Sequence, residues 1–287
     1  DAGATLTYQL VSGVGDGNNS LFTLEANGTL KTATTFDYES NASTYTIRVQ
    51  AKDEYNATVD GNFTIVLTDL LYEPSQPNHI VDLNASVAME MIWVEPGTFM
   101  MGQIGAGNAQ IEHQVTLTNG FYLGKYEVTQ AQYEAVMTGN TSNLSVMPSH
   151  YPNSPSHPVE KISWQDIQVF LTRLNEQEAD NLPLGWSYVL PTEAQWEYAC
   201  RAGTTTNHSW GDSITTNDAN YNNDIGQTTS VGQYAANPWG FFDMHGNVHE
   251  WTADAYGTYA SGAQTDPFNA GAAGSFRVIR GGSWDSI

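Results

Sequence analysis

The stretch from Gly203 to Ile287 constrains this chain more than any other, because it is rich in Gly, Asn, Asp and Trp yet keeps no repeating hydrophobic period. An irregular stretch of that length inside a compact domain has too few regular ladders to hold itself, so something else must fix its backbone. A bound cation is one such fixative. Within the stretch lies FFDMHGNVHEW, residues 241–251, which sets two carboxylates around a Gly-Asn turn between aromatic brackets. Its residue types fit the rim of an active site, a metal cage, or a tight turn in an aromatic core.

The first 70 residues follow a different grammar. LTYQL, YTIRVQA and NFTIVLT alternate apolar with polar residues at period two, and Gly/Asn/Asp clusters punctuate them, as half-buried strands require. Asn27-Gly28 between LFTLEA and TLKT predicts a hairpin turn, since both residues tolerate positive φ. Short strands at such spacing predict a β-sandwich over residues 1–70. Residues 71–88, LYEPSQPNHIVDLNASVA, carry two prolines and no clear period, and read as a linker. The remainder, 89–287, opens a second domain.

Three helices are predicted there from their caps. Thr129 precedes QAQYEAVM, with Gln132 completing a capping box. Ser163 precedes WQDIQVFLTRLNEQEA, whose Ile167, Phe170, Leu171 and Leu174 share one face. Thr192 precedes EAQWEYACRAG, with Gln195 at the box position and Gly203 as the stop.

Charge narrows the partners. Nine Lys and Arg face 31 Asp and Glu, a surface that repels nucleic-acid phosphates and anionic membranes and attracts divalent cations. No run approaches eighteen apolar residues, so no transmembrane helix and no membrane insertion are expected, and no basic-then-apolar leader opens the numbering. The single cysteine, Cys200, excludes an intrachain disulfide and any zinc site built from several thiolates. Asn-x-Ser/Thr sequons stand at Asn18, Asn27, Asn41, Asn56, Asn62, Asn84, Asn140, Asn143 and Asn207. They are either chance in a chain rich in Asn, Ser and Thr, or glycosylation acceptors on an extracellular surface.

The run from DAGATLTYQLVSG through NSLFTLEANGTLKTATTFDYESNASTYTIRVQAKDEYN resembles the second half of a cadherin-type repeat, over about residues 1–70. That resemblance implies calcium held by acidic residues between repeats, here Asp1, Asp37, Glu39 and Asp53. Hard cations do take several carboxylate oxygens. The closing calcium motif of such a repeat is reduced to TDLLYEPS, keeping Asp69, so ordinary loop acids remain the alternative.

A second resemblance rests on ordered blocks: MIWVEPGTFMMG, FYLGKYEVTQAQYEAVM, PVEKISWQDIQVFLTRLN, LPTEAQWEYACRAG, ANYN, VGQYAANPWGFFDMHGNVHEWTAD and RVIRGGSW. Together they resemble the formylglycine-generating enzyme family, or sulfatase-modifying-factor domain, over about residues 88–287. The resemblance implies a variant of the C-type-lectin fold, low in regular structure and held by calcium. One ion would take side-chain oxygens from Asp243 and Glu250 and carbonyls from Gly246 and Val248. A second would take the side chains of Asn220 and Asn223 and the carbonyls of Tyr221 and Ile225. Where the family carries an aspartate near position 223, this chain has Asn223-Asp224, so Asp224 is a substitute after a one-residue shift. A Gly/Asn turn packed on Trp239 and Trp251 is the bland alternative for both. His245 and His249 are spaced i, i+4, useful for a transition metal only on a helix, and Gly246 argues against one; they read as surface or turn histidines.

Catalytic members of the family oxidise a substrate cysteine with two cysteines and copper(I), which soft thiolates suit. Those cysteines follow the block matching RGGSW, and Cys200 matches neither; it reads as a small buried hydrophobe on its helix, so no catalytic residue and no copper are expected in these residues. The expectation is therefore a mainly β, α+β chain: a cadherin-like sandwich followed by a C-type-lectin-like domain. Its expected role is that of a non-catalytic, calcium-stabilised extracellular or cell-surface protein in adhesion or assembly, meeting copies of itself, other surface proteins or glycans. Both domains lack edge strands in this reading, which makes a filament joined by strand addition one form of assembly. The alternative is a cysteine-to-formylglycine oxidase whose catalytic tail lies elsewhere.

Overall fold

The computed structural model describes residues 5–34, 44–66, 75–102, 111–272 and 274–286. The chain divides into two compact units, Asp1–Leu70 and Leu71–Ile287. Strands dominate both, and the helices among the described residues are few.

The first unit begins with β1 (Thr7–Leu10), a 3-10 turn (Asn19–Leu21), β2 (Phe22–Leu24) and β3 (Leu30–Thr32). The long strands β4 (Thr44–Lys52) and β5 (Thr58–Val66) follow. β4 is the centre of an antiparallel sheet ordered β1-β4-β5, while β2 and β3 form a separate hairpin. The hairpin turn uses the predicted dipeptide: Gly28 sits at φ +91° and the Asn27 side chain accepts from the Thr29 N–H at 2.9 Å. Period-two alternation turns Tyr45 and Ile47 inward, where they and Phe22 form a small buried core. Asp53 closes the β4–β5 turn by accepting from the N–H groups of Tyr55 and Ala57. Asn56 adopts φ +68° in that turn. Asp1, Asp37, Glu39, Asp69 and the sequon Asn41 lie outside the described residues.

The second unit opens with β6 (His79–Asn84) and β7 (Val87–Val94). This corrects the linker reading of residues 71–88 from His79 onward: HIVDLN alternates and turns Val81 and Leu83 into the core, a short pattern hidden by the prolines before it. Next come β8 (Gly97–Met101), β9 (His113–Leu117) and β10 (Phe121–Gly124). The helices α1 (Gln130–Met137), α2 (Trp164–Gln177) and α3 (Glu193–Arg201) follow, then β11 (Glu250–Ala255), β12 (Gln264–Thr265) and β13 (Arg277–Arg280). The sheets are small: β10-β7-β6, β12-β9-β8 and β11-β13.

All three helices start at their predicted caps, each with a complete capping box, and Asp166 closes the one on α2. Helix α3 ends at Arg201 with Ala202 as its cap at φ +48°, and the predicted stop Gly203 follows in the left-handed conformation at φ +88°. One core joins α3 to β7, β8 and β9 through Trp196, Ala199 and Val115. The other joins α1 and α2 to β6 through Tyr133, Phe170, Leu174 and Val81. The first of these cores also takes in Phe241 and Met244 from the loop of residues 241–251.

Candidate functional site

That loop ends in a polar hub centred on Asn247, which is 1% exposed and sits at φ +59°. Its side-chain oxygen accepts from the Thr229 N–H at 2.9 Å and the Asn220 amide at 3.3 Å. Its amide nitrogen donates to Glu127 Oε2 at 2.6 Å. Its main chain donates to Asn220 O and accepts from the Trp284 N–H, each at 2.8 Å. One residue thus ties together four segments remote in sequence. Gly246 beside it is obligatory, since at φ +94° a Cβ would stand 2.4 Å from the Asn220 carbonyl oxygen.

Glu127 was not singled out by sequence reasoning, although it lies in the FYLGKYEVTQ block. It is 7% exposed, and its other oxygen accepts from the Val248 N–H at 3.0 Å. Burial holds its carboxyl well above the usual carboxylate range, and the charges of Asp243 and Glu250 push the same way. Asp243, left-handed at φ +57°, accepts from the Gly232 N–H at 2.6 Å; burial raises its pKa to about 6. Glu250 accepts from the Trp196 indole at 3.1 Å. Its carboxyl is enclosed by protein, and burial, with Asp243 adding to it, raises its pKa to about 7. Three carboxylates therefore share one desolvated region without a cationic side chain among their hydrogen-bond partners.

Among the described residues, no three His, Cys, Asp or Glu side chains cluster as a ready ligand set. Any cation here would draw on mixed oxygens, as hard cations do. Such oxygens are at hand. Among the described residues no hydrogen bond engages the carbonyls of Gly246 or Val248. The Asn220 side-chain oxygen is buried with no partner, although its amide nitrogen donates to Gln227 O and Asn247. A buried polar atom left without a partner costs roughly 1–3 kcal/mol. Nearby, Asn223 at φ +56° donates its N–H to Trp284 O, Tyr221 O accepts from the Asp224 N–H, and Ile225 is 43% exposed.

A second cluster lies beside the hub. Glu197, 3% exposed, receives Arg201 at 2.8 Å and Arg280 at 2.5 Å. Cys200 is buried as expected, and burial pushes its thiol up to about 12. His249 is exposed, as the turn reading anticipated. His245 lies in the turn and is half-buried, with Nε2 at 3.5 Å from Cys200 Sγ and its ring against His208 and Trp210. Burial lowers its pKa to about 4, so it is a neutral imidazole.

The remaining sequons differ in exposure. Asn140 donates its amide to Met137 O and Leu144 O, and Asn18 accepts from the Thr46 N–H. Asn27, Asn56, Asn62, Asn84, Asn143 and Asn207 are exposed.

Comparison with known proteins agrees with this architecture. Residues 79–286 match the sulfatase-modifying factor enzyme 1-like domain. The chain is 28% identical over 267 residues to the serine/threonine-protein kinase Pkn1 of Chlamydia caviae, covering 83% of this chain and 41% of that one. It is 32% identical over 148 residues to the formylglycine-generating enzyme of Streptomyces coelicolor, covering 45% and 43%. The chain thus spans about two fifths of these relatives' lengths. Among solved structures, Treponema denticola variable protein 1 superposes with a TM-score of 0.60 at 26% identity, covering 74% of this chain and 90% of that one. The hub, the capped helices and these matches place the second unit, and with it most of the chain, in the sulfatase-modifying factor enzyme 1-like domain family.

Proposed function

We propose that the chain is a non-catalytic, calcium-stabilised surface protein, in which a cadherin-like sandwich accompanies a C-type-lectin-like recognition unit serving adhesion or assembly. The observation that carries the reading is the oxygen set around the Gly-Asn loop. Asp243, Glu250 and the free carbonyls of Gly246 and Val248 are hard donors that suit one calcium ion, and the orphaned Asn220 oxygen is a donor for a second. The Asn223 side chain and the carbonyls of Tyr221 and Ile225 would complete that second site with Asn220. Bound calcium would neutralise carboxylates that burial now disfavours as anions, and would hold a segment short of regular ladders. The exposed sequons and the acidic surface suit an extracellular or cell-surface setting, with copies of itself, other surface proteins or glycans as partners.

Thermal unfolding with calcium and with chelator tests this. Calcium at a hundred times its dissociation constant should stabilise the second unit by about 2.7 kcal/mol. An unchanged melting temperature would sink the metal reading.

The alternative reading, a cysteine-to-formylglycine oxidase, draws on the likeness to formylglycine-generating enzymes. Against it stands the chain's one cysteine, buried and hard to ionise, where copper(I) needs thiolate. These 287 residues, supplied with copper(I), oxygen and a cysteine peptide, should form no aldehyde; aldehyde formation would favour the oxidase.

A further inference from the structure

The segment between α2 and α3, LPLGWSYVLP at 182–191, is unusually apolar for its exposure: Leu184 is 104% exposed, Val189 69% and Trp186 46%. One residue in it is firmly held. Asn175 of α2 accepts from the Tyr188 N–H at 2.7 Å and donates to the Tyr188 carbonyl at 2.8 Å. A single side-chain amide thereby gives Tyr188 the pairing that a neighbouring strand would give it. Along an extended backbone, successive residues present their N–H and C=O groups to opposite edges. The Asn175 clamp therefore occupies one edge and leaves Ser187 and Val189 facing the other. Among the described residues no hydrogen bond reaches the main chain of either.

This open edge borders a cavity of about 1040 Å³, whose walls include Met89, Met91, Trp93, Tyr122 and Trp186. The Trp93, Tyr122 and Trp186 rings brace one another at centroid distances of 5.1 to 6.1 Å. The charged side chains in the cavity wall are Glu127, Glu160, Glu250 and Asp285 against Lys161 alone. The wall is thus apolar and carries more acids than bases, two of the acids being the hub's Glu127 and Glu250.

We propose that residues 187–190 accept an extended peptide strand from a separate polypeptide, neutral to basic and apolar at alternate residues. Its main chain pairs with Ser187 and Val189, and its apolar side chains enter the cavity. The pairing satisfies main-chain groups on an edge that carries no charge and no interior proline to protect it. Alternation places every second side chain of the guest on the cavity side. The excess of acids in the wall, on a chain with 31 Asp and Glu against nine Lys and Arg, selects against an acidic guest. The inference deepens the recognition reading of this unit, and its main-chain pairing at Ser187 and Val189 does not depend on calcium.

The test is amide hydrogen exchange on the full chain, alone and with an end-blocked nonapeptide alternating valine and threonine between terminal lysines. The Ser187 and Val189 amides should exchange fast in the free chain and at least about tenfold more slowly with peptide. Val189→Pro, which removes one donor, should abolish binding. Val189→Ala keeps the donor and should retain the protection at weaker affinity, which separates pairing from misfolding. An analogue alternating valine and threonine between terminal glutamates should bind more weakly. No binding, or binding that leaves both amides fast, overturns the proposal. So does protection in the free chain that appears only as it dimerises, because the guest would then be a second copy. The calcium-dependent melting shift is read separately, so a failure here leaves the metal reading standing.

Discussion

The first unit and the segment from 203 to 286 reach order by opposite means. In the first, nine consecutive residues of β4 pair in unbroken register with β5, from Thr44↔Val66 to Lys52↔Thr58, and Tyr45 and Ile47 bury against Phe22. In the second, ladders are short, and buried amides and carboxylates hold the chain: Asn247, Asn220 and Glu127 link the loops that β11 and β13 leave unpaired. A ladder spreads its stability over many weak, replaceable bonds. A hub concentrates it in a few desolvated groups, each costly to orphan.

The comparison breaks most visibly at Asn247. Asn247→Ala removes the donor to Glu127 and the acceptor for Thr229 and Asn220, leaving a buried carboxylate with one remaining bond. A loss of about 3 kcal/mol or more is expected in the second unit, with the first unit's transition unmoved, as two-transition calorimetry would show. Calcium should act next in size on the same unit, and Asp243→Ala or Glu250→Ala should each remove most of its gain there. In the first unit, Ile47→Val should cost about 1 kcal/mol, the usual price of one buried methylene, whether or not calcium is present.

A smaller effect involves His157, whose pKa burial lowers and whose Nδ1 lies 3.1 Å from Thr228 Oγ1. Its neutral form is favoured in the folded state, so its contribution is fully present above the unfolded value near 6.5 and declines as pH falls below it. His157→Gln should flatten the fall in melting temperature between about pH 7 and pH 5.

Much of this architecture was legible in the residues. Period-two alternation placed β1, β4 and β5, and Thr129, Ser163 and Thr192 marked their helices because capping is a local interaction between neighbours in sequence. The irregular stretch was legible only as a need for something to fix it. Glu127 escaped because its partners stand 120 and 121 residues away, and nothing local distinguishes a buried glutamate from a solvated one. Asn247 read as half of a turn, which its φ of +59° bears out, but its role as a four-way tie depends on long-range packing. His245 read as a surface or turn histidine and lies in the turn, but its partial burial against Cys200 and His208, from other segments, was not legible. The strand at 79–84 was lost under the composition of the prolines that precede it.

The most direct measurement of the hub is residue-resolved hydrogen exchange across residues 241–251. The N–H groups of Gly246, Asn247 and Val248 donate to Gly281 O, Asn220 O and Glu127. If buried polar ties replace ladders here, these three amides should exchange as slowly as those in the centre of β7, and Asn247→Ala should release them together. Exchange at the rate of an exposed loop, in the unmodified chain, would contradict the account.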